Sequence, residues 1–224
     1  MTNIRMVCLA ASARPGGFCY AGKDIDTEQW VRPLTSEAHH AITAYDRVVG
    51  PGDPAKVGDV LSVPVGRSFP IGCQTENRLK TGRWARLGTV SFIEARQCLD
   101  APATLWENRL STRNGLFDEM SEAVANGFDH SLLLIEVQDC TLVGSDEGWG
   151  GVAKPRTRAS FTYNGVGYCL RATDPAFNLR VGERREIGHG LLCCSVAEAW
   201  APEGQAERFV YKLVAGIITP ERLG

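Results

Sequence analysis

The chain of 224 residues has no long apolar run, no excess of either charge and no cysteine pair spaced for a metal. No stretch approaches the ~20 apolar residues that a membrane-spanning helix needs, so no membrane partner is expected. Met1 to Ala10 holds a brief apolar stretch, too short for a signal-peptide core, and Arg14-Pro15-Gly16-Gly17 follows at once. With 24 Lys and Arg against 26 Asp and Glu, the formal net charge is −2. That excludes a global basic field, so any polyanion site must be a local patch. Among the eight cysteines no Cys-x-x-Cys pair occurs, and the adjacent Cys193-Cys194 suit neither zinc nor an ordinary bridge. They are expected to be free thiols of a cytoplasmic protein, most of them buried as small hydrophobes. His39, His40, His130 and His189 show no ligand spacing, and no metal or other cofactor is expected. P-loop, dinucleotide and Gly-x-Ser-x-Gly motifs are all missing. No catalytic residue is assigned.

What is present is a series of short strands. The length suits one large or two small domains, and 44% hydrophobic residues can build a core. Ile4–Leu9, Phe18–Lys23, Trp30–Leu34, Val60–Val65 and Arg83–Phe92 have strand-like patterns with turn residues between them. Ser36–Lys56 has no periodicity and is expected to be a long loop. Pro64 restricts its strand to the edge or end of a sheet. Helical spacing of Leu116, Met120, Ala123 and Val124 predicts a helix over 116–126, with Gly127 at its C′ position. Ser91 and Glu94 have capping-box spacing and predict a shorter helix over 92–99. Ser131–Val143, Leu191–Val196 and Phe209–Thr219 return to strand. Many short strands with few helices indicate a barrel or sandwich.

The strongest local signal is Arg158–Tyr163, Asn164-Gly165, Val166–Thr173. Asn-Gly between two strand-like runs predicts a type I′ hairpin. The register then sets Tyr163 against Val166, Phe161 against Tyr168 and Ala159 against Leu170, an apolar face for a core. The opposite face sets Arg158 against Arg171, with Arg156 and Lys154 continuing by the period of two. Four cations so placed invite either a phosphate or carboxylates from elsewhere in the chain, such as Asp139, Asp146 or Glu147.

Weaker candidates surround this hairpin. Arg14, Gly16 and Gly17 form either a phosphate-cradling loop or a tight turn. Trp30 and Arg32 share a strand face and suit base stacking or a core. Asp174, after the hairpin, either ends a strand or contacts a ligand.

These segments, in order, resemble a family of bacterial and archaeal proteins described as containing a dual OB domain. The likeness is carried by Ser12–Gly22, Trp30-Val31-Arg32-Pro33, Gln74-Thr75-Glu76-Asn77, Lys154–Ala159, Phe161–Gly165, Tyr168–Pro175 and Tyr211–Ile218. The resemblance implies two packed OB-like barrels, expected over residues 1–110 and 111–224, the second with an N-terminal helix. OB barrels commonly bind oligonucleotides through a basic groove and aromatic rings. The leading expectation is therefore a module for single-stranded nucleic acid or a nucleotide, acting alone or in a protein complex. Lys154, Arg156, Arg158, Arg171, Arg14, Gly16 and Gly17 would face phosphate, and Tyr20, Trp30, Arg32, Asn77 and Asp174 a base or the rim. Two alternatives stay open. One is an enzyme acting on a nucleotide or modified base through Asp174, Glu76 or a thiol; the other is a scaffold that binds only protein.

Overall fold

A computed structural model describes residues 2–148, 150, 152–201, 204 and 206–224. The first half forms β1 (Thr2–Arg14), β2 (Gly17–Asp24) and β3 (Trp30–Leu34), then a ribbon of β4 (Val48–Gly50) and β5 (Asp53–Pro54). β6 (Asp59–Ser68), β7 (Asn77–Lys80) and β8 (Ala85–Thr89) follow. β1 pairs with β2, β2 with β3, β3 in parallel with β7, β7 with β6, and β6 returns to β1. That circuit is a closed barrel. Ser36–Lys56 contains the short β4–β5 ribbon, one turn of helix at 38–40, a bridge from Ile42 to Phe18 and a turn over 44–47, so it is largely the expected loop.

The second half repeats the scheme. After β9 (Glu119–Ser121) come β10 (Leu132–Asp146), β11 (Pro155–Tyr163), β12 (Val166–Ala172), β13 (Arg184–Val196) and β14 (Phe209–Ile218). Pairing runs β10–β11–β12, then in parallel to β14, then β13 and back to β10, with β9 added at the edge of β14. The expected architecture of two OB-like barrels, mainly β with short helices, is what the chain adopts.

Three apolar cores explain the strand patterns. Met6, Cys8, Tyr20, Leu61 and Trp84 fill the first barrel. Leu133, Ile135, Phe161, Leu170, Leu192 and Cys194 fill the second, which also takes Leu105 and Trp106 from the connecting segment. The third core lies between the barrels, where Val7, Leu9 and Ala10 meet Leu132, Leu134, Leu191, Cys193 and Ala215. Leu132–Ile135 of β10 and Leu191–Cys194 of β13 are thus buried on both faces, which is why these stretches read as unbroken apolar runs. It also accounts for the adjacent thiols: Cys194 enters the second barrel and Cys193 the inter-barrel core. All eight cysteines are free, five of them buried.

The expected helix over 116–126 does not form. Phe117 has a left-handed φ of 52°, Glu119–Ser121 pairs with β14, and only α2 (Glu122–Ala125) is helical, capped by Ser121. Sheet pairing and burial of Met120 outweigh a periodicity whose first member, Leu116, remains exposed. Gly127 does not adopt the left-handed conformation expected of a C′ glycine. The other helix is present: α1 (Phe92–Ala95), with both halves of the Ser91–Glu94 capping box, runs into a further turn over 96–98. Pro64 lies inside β6 and not at its end. β8 pairs with β6 up to Ser62 and β7 only from Val65, so the proline sits at the seam between two partners. Its carbonyl accepts from Thr81 N there, and no ladder donor is lost.

Candidate functional site

The β11–β12 hairpin has the anticipated geometry. Asn164 and Gly165 have φ of 49° and 76°, as a type I′ turn requires. The register sets Arg158 opposite Arg171, Phe161 opposite Tyr168 and Ala159 opposite Leu170. Phe161 and Tyr168 stack with ring centroids 5.5 Å apart. The tip is held down because Tyr163 Oη and Asn164 Nδ2 both donate to the Pro102 carbonyl.

The two arginines facing each other have opposite fates. Arg158 donates to Glu147 through Nε and Nη2 at 2.5 and 3.0 Å, and to Asp118 through Nη1 at 2.7 Å. It is 8% exposed. Burial opposes its charge, yet the hydrogen bonds it donates to Glu147 and Asp118 outweigh burial and hold its pKa above the ordinary value. Arg158 is therefore spent inside the protein and is withdrawn as a phosphate contact. Glu147 was a foreseen neutraliser. Asp118 was not, because a helix was expected there. Asp139 and Asp146 serve elsewhere, accepting from the backbone N–H groups of Thr162 and of Gly148 and Lys154.

Arg171 has no such company. No described residue forms a hydrogen bond or ion pair with its side chain, and its Nε is buried without a partner. Burial, then the charge of Arg156, push its pKa down to about 10, against the pull of Glu147. The side chain stands at the boundary of two cavities, which also share Ala13 and Thr173. The first, about 450 Å³, is a cleft between the barrels. Its floor is apolar, including Ala10, Ala21, Leu132, Leu213 and Ala215. Its walls carry Arg14, Tyr211 and Trp200. The second cavity, about 670 Å³, is lined by Arg156 and Arg180 beside Arg171, and by polar Thr157, Thr173 and Asn178.

Trp200 was not anticipated. It is 55% exposed at the mouth of the cleft, and its backbone pairs both ways with Phe209 at 2.8 and 2.9 Å, which fixes where the indole starts. The only sequence signal was a tryptophan in a segment without apolar periodicity. Arg14 crosses the cleft to Glu198, 3.0 Å away, joining the first barrel to the second.

Several expected contacts are absorbed by the fold. Tyr20 is fully buried against Trp84 and donates to the Ala55 carbonyl, so it offers no face to a base. Burial raises its pKa to about 12. Trp30 Nε1 donates to Asp100, while Lys23 lies over the ring and also pairs with Asp100; Trp30 lines a separate cavity that Arg171 does not reach. Arg32 is 2% exposed and pairs with Glu76 at 3.1 Å. It also donates to Ser131 and Ser195 of the other barrel, so it is a strut between the barrels, and from there it lines the inter-barrel cleft. Asn77 is wholly buried and donates to Gln74. Asp174 is buried and ion-paired to Arg222 at 2.5 Å, while Asp174 Oδ2 accepts from Ile217 N. Gly16 and Gly17 serve the tight turn. A Cβ on Gly17 would come within 2.4 Å of the Ile42 carbonyl, and neither glycine lines either cavity. Lys154 precedes β11, is exposed, and lines neither cavity. Of the phosphate contacts expected from sequence, Arg171, Arg156 and Arg14 are the ones brought together.

A family model described as a dual OB-containing domain matches residues 4–217, nearly the whole chain. Among curated proteins and among solved structures, no match reaches significance.

Proposed function

The chain belongs to the dual OB-containing domain family, and from that premise we propose that it is a binding module for a nucleotide or single-stranded nucleic acid, seated in the inter-barrel cleft. One observation carries this reading: Arg171 is half-buried with its Nε wholly enclosed and unpartnered, and its guanidinium has no acidic hydrogen-bond or ion-pair partner among the described residues where it stands at a cavity boundary. An uncompensated buried cation costs stability. A fold that keeps one beside an open cleft has a ready place for a ligand anion, and phosphate matches the planar fork of arginine. Trp200 supplies an exposed aromatic ring, the second element of base recognition.

Fluorescence anisotropy with labelled nucleotides and single-stranded DNA and RNA tests the proposal. Binding should weaken as salt rises, and Arg171→Glu should abolish it. Arg158→Lys serves as the control on the same hairpin, since that residue is engaged internally. Binding that survives Arg171→Glu unchanged would remove the cleft from consideration.

A further inference from the structure

The two cavities that meet at Arg171 differ in kind, and the difference bears on which nucleotide ligand fits. The inter-barrel cleft has an apolar floor and two aromatic residues, Trp200 and Tyr211. Among the described residues lining it, the adjoining cavity has no aromatic side chain. Instead it holds Arg156 and Arg180 with Arg171. The one carboxylate among the described lining residues, Asp174, is already taken by Arg222. Arg180 has no side-chain partner among the described residues, and Arg156 donates only to the carbonyl of Pro155, 2.9 Å away. One compartment is built for a ring, the other for negative charge.

A nucleic-acid strand repeats base and phosphate together. A groove for it needs ring surfaces at successive nucleotides, as well as cations along the backbone. Here the ring surface stops at Arg171, and beyond it the described lining carries cations and small polar side chains among aliphatic ones such as Leu179 and Val181. A single nucleotide with a chain of phosphates has the opposite layout: one base at one end and charge concentrated at the other. The cleft volume of about 450 Å³ lies in the range of small-molecule sites.

Resting on the proposed binding role of the cleft, we infer that the ligand is a nucleoside di- or triphosphate. Its base lies beside Trp200, its first phosphate meets Arg171, and its terminal phosphates reach Arg156 and Arg180. The charge of three guanidinium groups is then balanced by the polyphosphate. The −2 net charge of the chain does not oppose such a compact ligand.

Isothermal titration of the full chain with nucleoside mono-, di- and triphosphates, inorganic tripolyphosphate and oligo-dT of increasing length tests this. Affinity should rise roughly tenfold with each added phosphate, the gain expected of a charge-assisted contact. The double variant Arg156→Gln/Arg180→Gln, both at solvent-accessible positions, should erase that gain, so that mono-, di- and triphosphates bind alike. Trp200→Ala should weaken nucleotides but leave tripolyphosphate unaffected. Thermal melting confirms that each variant is folded. Affinity that ignores phosphate number, or that climbs with oligonucleotide length past the triphosphate, overturns the inference while leaving the cleft as the binding site. No binding of any of these probes overturns both.

Discussion

The sharpest consequence of the hairpin geometry is that two arginines in one cross-strand pair should respond oppositely to the same substitution. Replacing Arg158 with methionine keeps the stem and removes the guanidinium, leaving Asp118 and Glu147 in a site where their side chains are 4% and 13% exposed. Breaking a buried ion pair from one side costs about 3–5 kcal/mol. Asp118 keeps two further hydrogen bonds of 2.7 Å from Thr112, so the lower end, about 3 kcal/mol, is expected. For Arg171 the sign reverses. Its pKa falls from the ordinary arginine value to about 10, which sets a ceiling of about 3 kcal/mol on the cost of holding its charge. Partial solvent access lowers that to about 1–2 kcal/mol, and Arg171→Met should recover it. Urea unfolding at pH 7, followed by tryptophan fluorescence, should therefore separate the two variants by about 4–5 kcal/mol. Equal destabilisation by both would refute the reasoning, because it would mean that Arg171 is also neutralised from within.

Other perturbations have equally definite signs. Cys8, Cys140, Cys193 and Cys194 all have thiol pKa values raised by burial, that of Cys140 to about 12. Folded thiols stay protonated where unfolded ones ionise, so stability is intact below about pH 9 and falls above it, by about 1.4 kcal/mol per pH unit per thiol. Lys212, whose pKa burial lowers to about 8, acts in the opposite direction between about pH 8 and 10.5. Four thiols outweigh one lysine; urea titrations at pH 7.5, 9 and 10 should show a net loss, shallower in Cys140→Ala, and a flat profile would contradict the buried-thiol account. Gly216→Ala should cost about 3 kcal/mol or more, since the added Cβ would lie 2.3 Å from the Leu9 carbonyl of the other barrel; a melting temperature like that of the parent would show the barrels free to separate there. Arg32→Met should cost about 3–5 kcal/mol by stranding Glu76, and Arg32→Met/Glu76→Leu should recover most of it. Additive losses in that cycle would dissolve the inter-barrel ion pair as an explanation.

Local chemistry was legible in the sequence and long-range chemistry was not. Asn164-Gly165 fixes its own turn and, through it, the register of fourteen flanking positions from Thr157↔Ala172 to Tyr163↔Val166. The capping box at Ser91 works over three residues and was equally visible. Arg158, by contrast, is neutralised by residues 11 and 40 positions away, one of them in a segment whose helical spacing was overridden by pairing with β14. Tyr20 and Trp30 looked like stacking residues because alternation along a strand cannot say which face is outside when both faces are covered. Trp200 escaped notice for the converse reason: its exposure depends on where the barrels diverge, a fact of packing that no local pattern encodes.

The cleft is a product of the packing of the two barrels. Where they touch, each has a register irregularity, at Cys8/Ala10 in the β1–β2 pairing and at Cys193/Cys194 in the β13–β14 pairing. These bulges bend the strands. Gly216 occupies the meeting point, where Leu9 and Ala10 approach too closely for a side chain. Along β14 the contact then opens: Ala215 lies in the shared core, and Leu213 and Tyr211, at the period of two, line the cleft. Across the parallel pairing Leu213 stands beside Arg171. The same face of one strand thus passes from inter-barrel core to cleft wall within four residues, carrying the unneutralised cation alongside. Ser12 and Thr173, joined by a 2.7 Å hydrogen bond, and the Arg14–Glu198 pair tie the two walls together. Neither barrel alone has both walls, so anything that alters the seam at Gly216 has to alter the pocket at Arg171 as well.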